Sequence, residues 1–367
     1  MSLTPNSDAL SAPPHAQQSS QLPSLQLSDR WRRSVSYLRV SVTDRCNYAC
    51  TYCAPLEGWQ ASPRQELLSL EELFEVIAVM VSMGVKRVRF TGGEPLLRRE
   101  LTTLMRRVAA LEGVQELALT TNAHLLDRYA QALFEAGVRR LNVSLDTFDE
   151  ADFKRITRGG DLKRVLRGVE RAQEVGFRDI QINAVLTPEL PQSPELWRAF
   201  VERCWSYELT PRWIELMPIG DLSSQRPTSE GHPLNNELVR EALIDPLKLS
   251  APNAPNAPNT LSSPPRGPAH YLVSALKGSE GRKVGFIDPL SDDGFCSTCN
   301  RARLTARGGL RACLADDREV DLKEPLRAGL HGPALIPFIE EAFYGKRPAH
   351  LMTQGLPPLS VMTSLGG

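Results

Sequence analysis

The chain has 367 residues, too many for one average domain, so length alone predicts two domains or one large barrel with an appendage. Its 43 lysines and arginines balance 43 aspartates and glutamates, and no global field advertises nucleic acid or an anionic membrane as partner. No apolar run approaches the ~20 residues that cross a bilayer, the start lacks a basic-then-apolar signal pattern, and an odd number of cysteines is unsuited to a secreted disulfide framework, so a soluble, cytoplasmic protein is expected.

Residues 1–28 are rich in Ser, Pro and Gln and cannot bury enough surface to offset ordering entropy, so a disordered tail is expected there. Between 29 and 244 one unit repeats: a short β-rich run, a loop, an amphipathic helix, then a glycine that leads into the next strand. Strands are expected at Leu38 to Val42, Arg87 to Phe90, Glu116 to Thr120, Arg140 to Leu145, Ile180 to Leu186 and Arg212 to Leu216. Ser69-Leu-Glu-Glu72 reads as a capping box, and Gly84, Gly137 and Gly176 suit the left-handed position that ends a helix. Alternating strands and helices imply parallel pairing with right-handed crossovers, and six units instead of eight suggest an α/β fold, a partial (β/α)6 barrel. Its chemistry should gather at the carboxyl ends of the strands, where every loop opens on one face. Asp245 to Arg266 breaks the pattern with Ala251-Pro-Asn-Ala-Pro-Asn-Ala-Pro-Asn259, a linker or surface insertion of polyproline-like character. Residues 267–367 then form a smaller C-terminal domain that closes on Gly366-Gly367.

Six of the seven cysteines form two triplets. Cys204 stands apart in a helix-like stretch and reads as a packed apolar residue. The first triplet, Cys46-Asn-Tyr-Ala-Cys50-Thr-Tyr-Cys53, directly follows the first strand, and its spacing is not the usual half-site of structural zinc. Three thiols can hold three irons of a [4Fe-4S] cubane and leave the fourth open to a ligand; a zinc knuckle that borrows its fourth ligand is the alternative. Cys296-x-x-Cys299 with Cys313 is more ambiguous, because a zinc ribbon completed by His270 or His331 would also fit. Arg301-Ala302-Arg303 directly after it places fixed positive charge there, which suits a triphosphate. Gly92-Gly93-Glu94-Pro95 after the second strand allows a backbone to approach a ligand with no Cβ in the way. Arg39 lies mid-strand and should point into a barrel lumen, where a buried guanidinium is costly without an anion or an ion pair to Glu94 or Asp146.

The first triplet with Tyr52 beside its last cysteine, followed by Gly92-Gly93-Glu94-Pro95, resembles the radical S-adenosylmethionine (SAM) superfamily. With Tyr37-Leu-Arg-Val-Ser-Val-Thr-Asp-Arg-Cys46, Leu119-Thr-Thr-Asn, Asn142-Val-Ser-Leu-Asp, Trp213-Ile-Glu-Leu-Met, Phe295-Cys-Ser-Thr-Cys-Asn-Arg-Ala-Arg-Leu and the closing Leu-Gly-Gly, the chain is similar to the GTP 3′,8-cyclases of molybdenum cofactor biosynthesis. The resemblance implies two [4Fe-4S] clusters, Cys46, Cys50 and Cys53 for the one that binds SAM, and Cys296, Cys299 and Cys313 for one that binds GTP. It implies SAM contacts at Tyr52, Gly93, Glu94, Ser144 and Met217, and GTP contacts at Arg39, Arg89, Thr120, Arg212, Arg301, Ala302 and Arg303. Gly366 and Gly367 would reach into the active site. Where the family places a lysine in the fifth strand this chain has Gln181, which puts that GTP contact in doubt. The implied reaction converts GTP to 3′,8-cyclo-7,8-dihydroguanosine 5′-triphosphate, with an electron donor such as flavodoxin or ferredoxin, a cyclic pyranopterin monophosphate synthase downstream, and a homodimer allowed. A radical SAM peptide maturase with an auxiliary cluster, or a zinc-stabilised interaction protein without catalysis, are the rival readings.

Overall fold

The computed structural model describes residues 26–54, 60–219, 228–229, 232–252, 267–354, 358, 360 and 362–365. The expected disordered tail up to residue 25, the Pro/Asn-rich stretch from 253 and the Gly366-Gly367 terminus lie outside them.

Six strands appear within two residues of the expected bounds: β1 (Tyr37–Ser41), β2 (Arg87–Thr91), β3 (Glu116–Thr121), β4 (Arg140–Ser144), β5 (Asp179–Leu186) and β6 (Thr210–Glu215). They lie side by side in chain order, each parallel to the next. Helices α1 (Leu70–Ser82), α2 (Leu101–Ala109), α3 (Leu126–Glu135), α4 (Glu150–Ile156), α5 (Leu162–Val175) and α6 (Pro194–Ser206) fill the crossovers. Parallel strands covered by helices bury both faces, and β4 accordingly reads Arg-Leu-Asn-Val-Ser with only its last residue partly open.

Local chemistry explains the boundaries. The capping box at α1 forms as expected: Ser69 Oγ accepts from Glu72 N at 3.0 Å, and Glu72 Oε2 accepts from Ser69 N at 2.7 Å. Gly84, Gly137 and Gly176 adopt φ of 99°, 96° and 120°, values that a side chain disfavours.

The described chain after β6 adds one small two-stranded sheet and otherwise extends the first. It supplies a short pair β7 (Thr228–Ser229) and β8 (His232–Pro233), helix α7 (Asn236–Leu247), then β9 (Leu249–Ser250), β10 (His270–Ser274), β11 (Lys283–Ile287), β12 (Arg301–Leu304), β13 (Gly309–Arg311) and β14 (Val320–Asp321). β12 pairs parallel to β1 and β11 parallel to β6, so the C-terminal strands extend both edges of the same sheet, in the order β14-β13-β12-β1-β2-β3-β4-β5-β6-β11-β10-β9. The pattern break placed at Asp245 is corrected: α7 continues through Pro246 to Leu247, and β9 follows at once. Pro246 lies in the last turn, where it forgoes one helical hydrogen bond one residue before the helix ends. Helices α8 (Lys323–Arg327), α9 (Ile336–Tyr344) and α10 (Met362–Leu365) complete the described chain.

One apolar core runs through both halves, from Leu38, Val88 and Phe90 to Phe286, Leu304 and Phe343. Leu38 sits fully buried on β1, between β12 and β2. Its truncation removes packing from the strand that joins the two halves. Leu38→Ala is expected to cost about 2–5 kcal/mol, read as a lowered urea midpoint at unchanged slope.

Candidate active site

The first cysteine loop is held from beneath by the glycine pair. Gly93 N donates to Thr43 O and Glu94 N to Arg45 O, both at 2.7 Å. A Cβ on Gly92 would stand 2.4 Å from Thr43 O, and one on Gly93 2.4 Å from Arg45 O. The close approach that requires glycine is therefore made to the backbone just before Cys46, a role the sequence did not suggest. Glu94 is fully buried and accepts from Leu96 N (3.0 Å), Thr121 Oγ1 (2.8 Å) and Asn122 N (2.8 Å). Burial outweighs these bonds and lifts its carboxyl to about 7. Asp146, which accepts from Tyr52 Oη at 2.8 Å and Val185 N at 2.9 Å, is raised by burial to about 6.

All three thiols of this triplet are pushed up by burial first and then by neighbouring negative groups, Cys46 to about 11 and Cys53 to about 12. For Cys50 and Cys53 those neighbours are other thiols of the triplet and Asp146; for Cys46 it is Glu94. Such thiolates need a cationic partner. Three sulfurs on one loop, all facing one cavity, supply one donor to each of three irons and fit a cubane core. Among the described residues no three His, Cys, Asp or Glu side chains converge as ligands of a single ion would.

That cavity, of about 280 Å³, is lined by the carboxyl ends of β1 to β6 together with β11 and β12, so the strands curve around one lumen. It brings together Cys46, Cys50 and Cys53, Cys296, Cys299 and Cys313, the arginines Arg39, Arg89, Arg212, Arg301 and Arg303, and Tyr52, Gly93, Thr120, Ser144 and Met217. Glu94, Gln181 and Ala302 do not line it. Ala302 pairs in register with Leu38 in the core, and Gln181 lies two residues below Asn183 on β5, where its Nε2 donates to Asp179 at 3.1 Å and its Oε1 is buried without a hydrogen bond. A larger cavity of about 400 Å³ outside the barrel, beside α6, carries none of the predicted site residues.

Register concentrates the positive charge. Arg39 on β1 stands opposite Arg303 on β12 and Arg89 on β2, three guanidinium groups in one row across adjacent strands about 4.8 Å apart. Burial and the Arg303, Arg89 and Arg301 charges hold the Arg39 pKa well below its ordinary value. Arg303 falls to about 10 through burial and Arg301. Arg89 Nε, Arg303 Nη1 and Thr120 Oγ1 are buried with no hydrogen-bond partner among the described residues. Arg212 is steadied by Asn142 Oδ1 and Asn183 Oδ1, each 2.5 Å from its Nη2.

In the second triplet burial pushes the Cys313 thiol up, as in the first, but Cys299 behaves differently. Burial would raise Cys299, but Arg301 and Lys346 outweigh it and lower the thiol to about 6. His270 and His331, the candidate fourth ligands of a zinc ribbon, instead contact Asp292 at 3.1 Å and Glu75 at 3.0 Å, and neither lines the cavity.

Comparison with known proteins agrees with this geometry. Residues 40–196 match the radical SAM superfamily and residues 209–352 the molybdenum cofactor synthesis C family. A GTP 3′,8-cyclase of Pelotomaculum thermopropionicum is 41% identical over 341 residues, which cover 93% of this chain and 100% of the relative. The chain belongs to the GTP 3′,8-cyclase family. A second cyclase of the family, from Pseudomonas putida F1, is 43% identical over 82% of this chain and 85% of its own length. The fold is shared with Streptococcus suis SuiB bound to precursor peptide SuiA, at TM-score 0.56 and 15% identity over 85% of this chain and 67% of that one. It is also shared with anSMEcpe with bound AdoMet, at TM-score 0.52 and 16% identity over 84% of each chain.

Several cavity residues of this cyclase-family chain went unmarked in the sequence. Tyr37 sits under Arg87 and Arg89, whose guanidinium carbons lie 5.4 and 5.3 Å from its ring centroid, and its buried hydroxyl has no hydrogen bond. Asn183 is another: its Oδ1 accepts from Arg212 Nε at 2.9 Å and so anchors that guanidinium. The signal that could have found both is strand parity: Tyr37 and Asn183 share lumen-facing positions with Arg39 and, across the ladder, Arg212.

Gly93→Ala forces a Cβ against Arg45 O, so the variant is expected to lose iron on anaerobic reconstitution and to unfold about 1–3 kcal/mol more easily. Glu94 binds its proton more tightly in the folded chain, at about 7, than at its ordinary 4.5. Between these values the native state holds a proton that the unfolded state has released, so stability falls as pH rises through that window. Urea midpoints of the ligand-free protein from pH 4.5 to 7 should show the fall, and Glu94→Gln should flatten it.

Proposed function

We propose that this chain cyclises GTP to 3′,8-cyclo-7,8-dihydroguanosine 5′-triphosphate, using SAM and two iron–sulfur clusters, at the start of molybdenum cofactor synthesis. The observation that carries the reading is the row Arg303–Arg39–Arg89 in the same cavity as both cysteine triplets. Arg89 Nε and Arg303 Nη1 are buried donors with no hydrogen-bond partner among the described residues, and a triphosphate would satisfy them with charge-assisted bonds. Membership of the family supports the rest.

Cys46, Cys50 and Cys53 would hold the first cluster, and Cys296, Cys299 and Cys313 the second. When bound, the first cluster supplies the electron that splits SAM into methionine and a 5′-deoxyadenosyl radical, the species that takes the ribose 3′ hydrogen. Tyr52, Gly93, Ser144 and Met217 border the SAM side of the cavity. Glu94 does not reach the lumen but carries its floor through Thr121 and Asn122. Arg301 and Arg303 anchor the triphosphate beside the second triplet, while Thr120 and Arg212 bind from the opposite strands. Fixing C8 of guanine close to C3′ in this way removes most of the entropy cost of ring closure. Gln181, the neutral residue where the family places a lysine, lies outside the cavity lining and is not assigned a GTP contact, and the Gly366-Gly367 terminus would complete the site. The family relation also supports a donor such as flavodoxin or ferredoxin, and a cyclic pyranopterin monophosphate synthase as the next enzyme.

Anaerobic reconstitution tests the proposal: about eight irons per chain, reductant-dependent SAM cleavage and a GTP-dependent cyclised product are expected. Zinc without iron, or SAM cleavage indifferent to GTP, would sink it. Arg39→Ala should weaken GTP binding about 10- to 100-fold, measured by calorimetry, while iron content stays unchanged.

A further inference from the structure

Lys346 follows α9 and is 3% exposed, an unusual place for an ammonium group. Its Nζ lies 3.6 Å from Cys299 Sγ and 3.8 Å from Asp29 Oδ2. Asp29 is itself fixed, with its side chain wholly buried, accepting from Trp31 N at 2.9 Å, Arg33 N at 3.0 Å and Arg33 Nε at 2.6 Å. The segment around it clasps the chain that carries the lysine. Trp31 Nε1 donates to Lys346 O at 3.0 Å, and Arg33 donates to Arg347 O and Pro348 O at 2.7 Å each, and to Cys296 O at 2.8 Å. Thus Asp29 and Arg33 reach the second cysteine pair from two sides, one through Lys346 and one through the Cys296 carbonyl.

A buried ammonium is retained only where its charge is paired and its donors are used. Asp29 shares its charge with Arg33, so part of the field of Lys346 is left for the sulfur. The first triplet offers no parallel in what is described: Cys46 Sγ receives Tyr48 N at 3.4 Å and Asn122 Nδ2 at 3.8 Å, both neutral donors, and the acids Glu94 and Asp146 stand nearby.

We propose that Lys346, fixed by Asp29, is a positioning residue for the second iron–sulfur site, orienting Cys299 Sγ and raising the reduction potential of the cluster held there. The inference rests on the two-cluster reading above. A positive donor to a ligating sulfur favours the reduced, more negative cluster, and partners of this kind also set ligand orientation.

The test uses the full chain carrying Cys46→Ala, Cys50→Ala and Cys53→Ala, so that only the second triplet can hold iron. After anaerobic reconstitution, iron content is assayed and a mediated dithionite titration is followed by electron paramagnetic resonance. In this background Lys346→Met is expected to shift the midpoint potential negative, and Lys346→Arg, which keeps the charge, to restore most of it. Should Lys346→Met not fold, Lys346→Gln removes the charge with a polar side chain and is expected to shift the potential the same way. Iron loss in Lys346→Met that Lys346→Arg rescues supports the inference as well. Full iron with an unmoved potential, or equal shifts in the Met and Arg chains, overturns it. A background chain that binds no iron overturns the two-cluster reading and this inference together, a result distinct from failure of the lysine alone.

Discussion

Three guanidinium groups side by side on adjacent strands, Arg89 and Arg303 buried and Arg39 half-buried between them, are the constraint on which the rest of the structure depends. Parallel register places Arg303, Arg39 and Arg89 at one level with their side chains on the lumen face. Such a row is repulsive in the empty chain, and the folded state tolerates it because a core of apolar residues on the other face of the same strands supplies the compensating stability. Leu38 and Val40 bury outward while Tyr37 and Arg39 point inward, so one strand serves both ends by period-two alternation. The anion site and the hydrophobic core are two faces of the same sheet.

Both cysteine triplets face this cavity, and Cys299 differs from the thiols of the first in the charge around it. Around the first, burial and the carboxyls of Glu94 and Asp146 disfavour free thiolates. Around the second, Arg301 and Lys346 favour one. Within the second triplet the contrast is internal as well, since burial and its neighbouring thiols push Cys313 up while Arg301 and Lys346 bring Cys299 down.

Much of this was legible in the residues. The six strands, the capping box of α1 and the glycine ends of helices follow from local periodicity and stereochemistry, which act within a few residues. The cavity wall was legible from the strand-end rule, since Thr120, Ser144 and Met217 each end or follow a strand. What escaped depended on contacts between distant segments. Lys346 lies 47 residues from Cys299, and nothing local marks it as a partner of a thiol. The glycine pair was read as room for a ligand, whereas its tightest contact is with Thr43 and Arg45. The joining of β12 to β1 was equally invisible, because a parallel strand pair carries no turn signal between its members.

That last pairing has a consequence for how the protein comes into being. Asn300 Nδ2 donates to Ser36 Oγ at 3.0 Å across 264 positions of chain, and β12 continues from there along the free edge of β1. During synthesis β1 to β6 emerge long before β12, and until then this edge of β1 carries unpaired backbone groups. The arginine row also stays one member short. A nascent chain therefore has only part of this cavity, and Cys296, Cys299, Arg303 and Cys313 join it last. Topology thus leaves the cavity open on the β1 side until the C-terminal strands are in place.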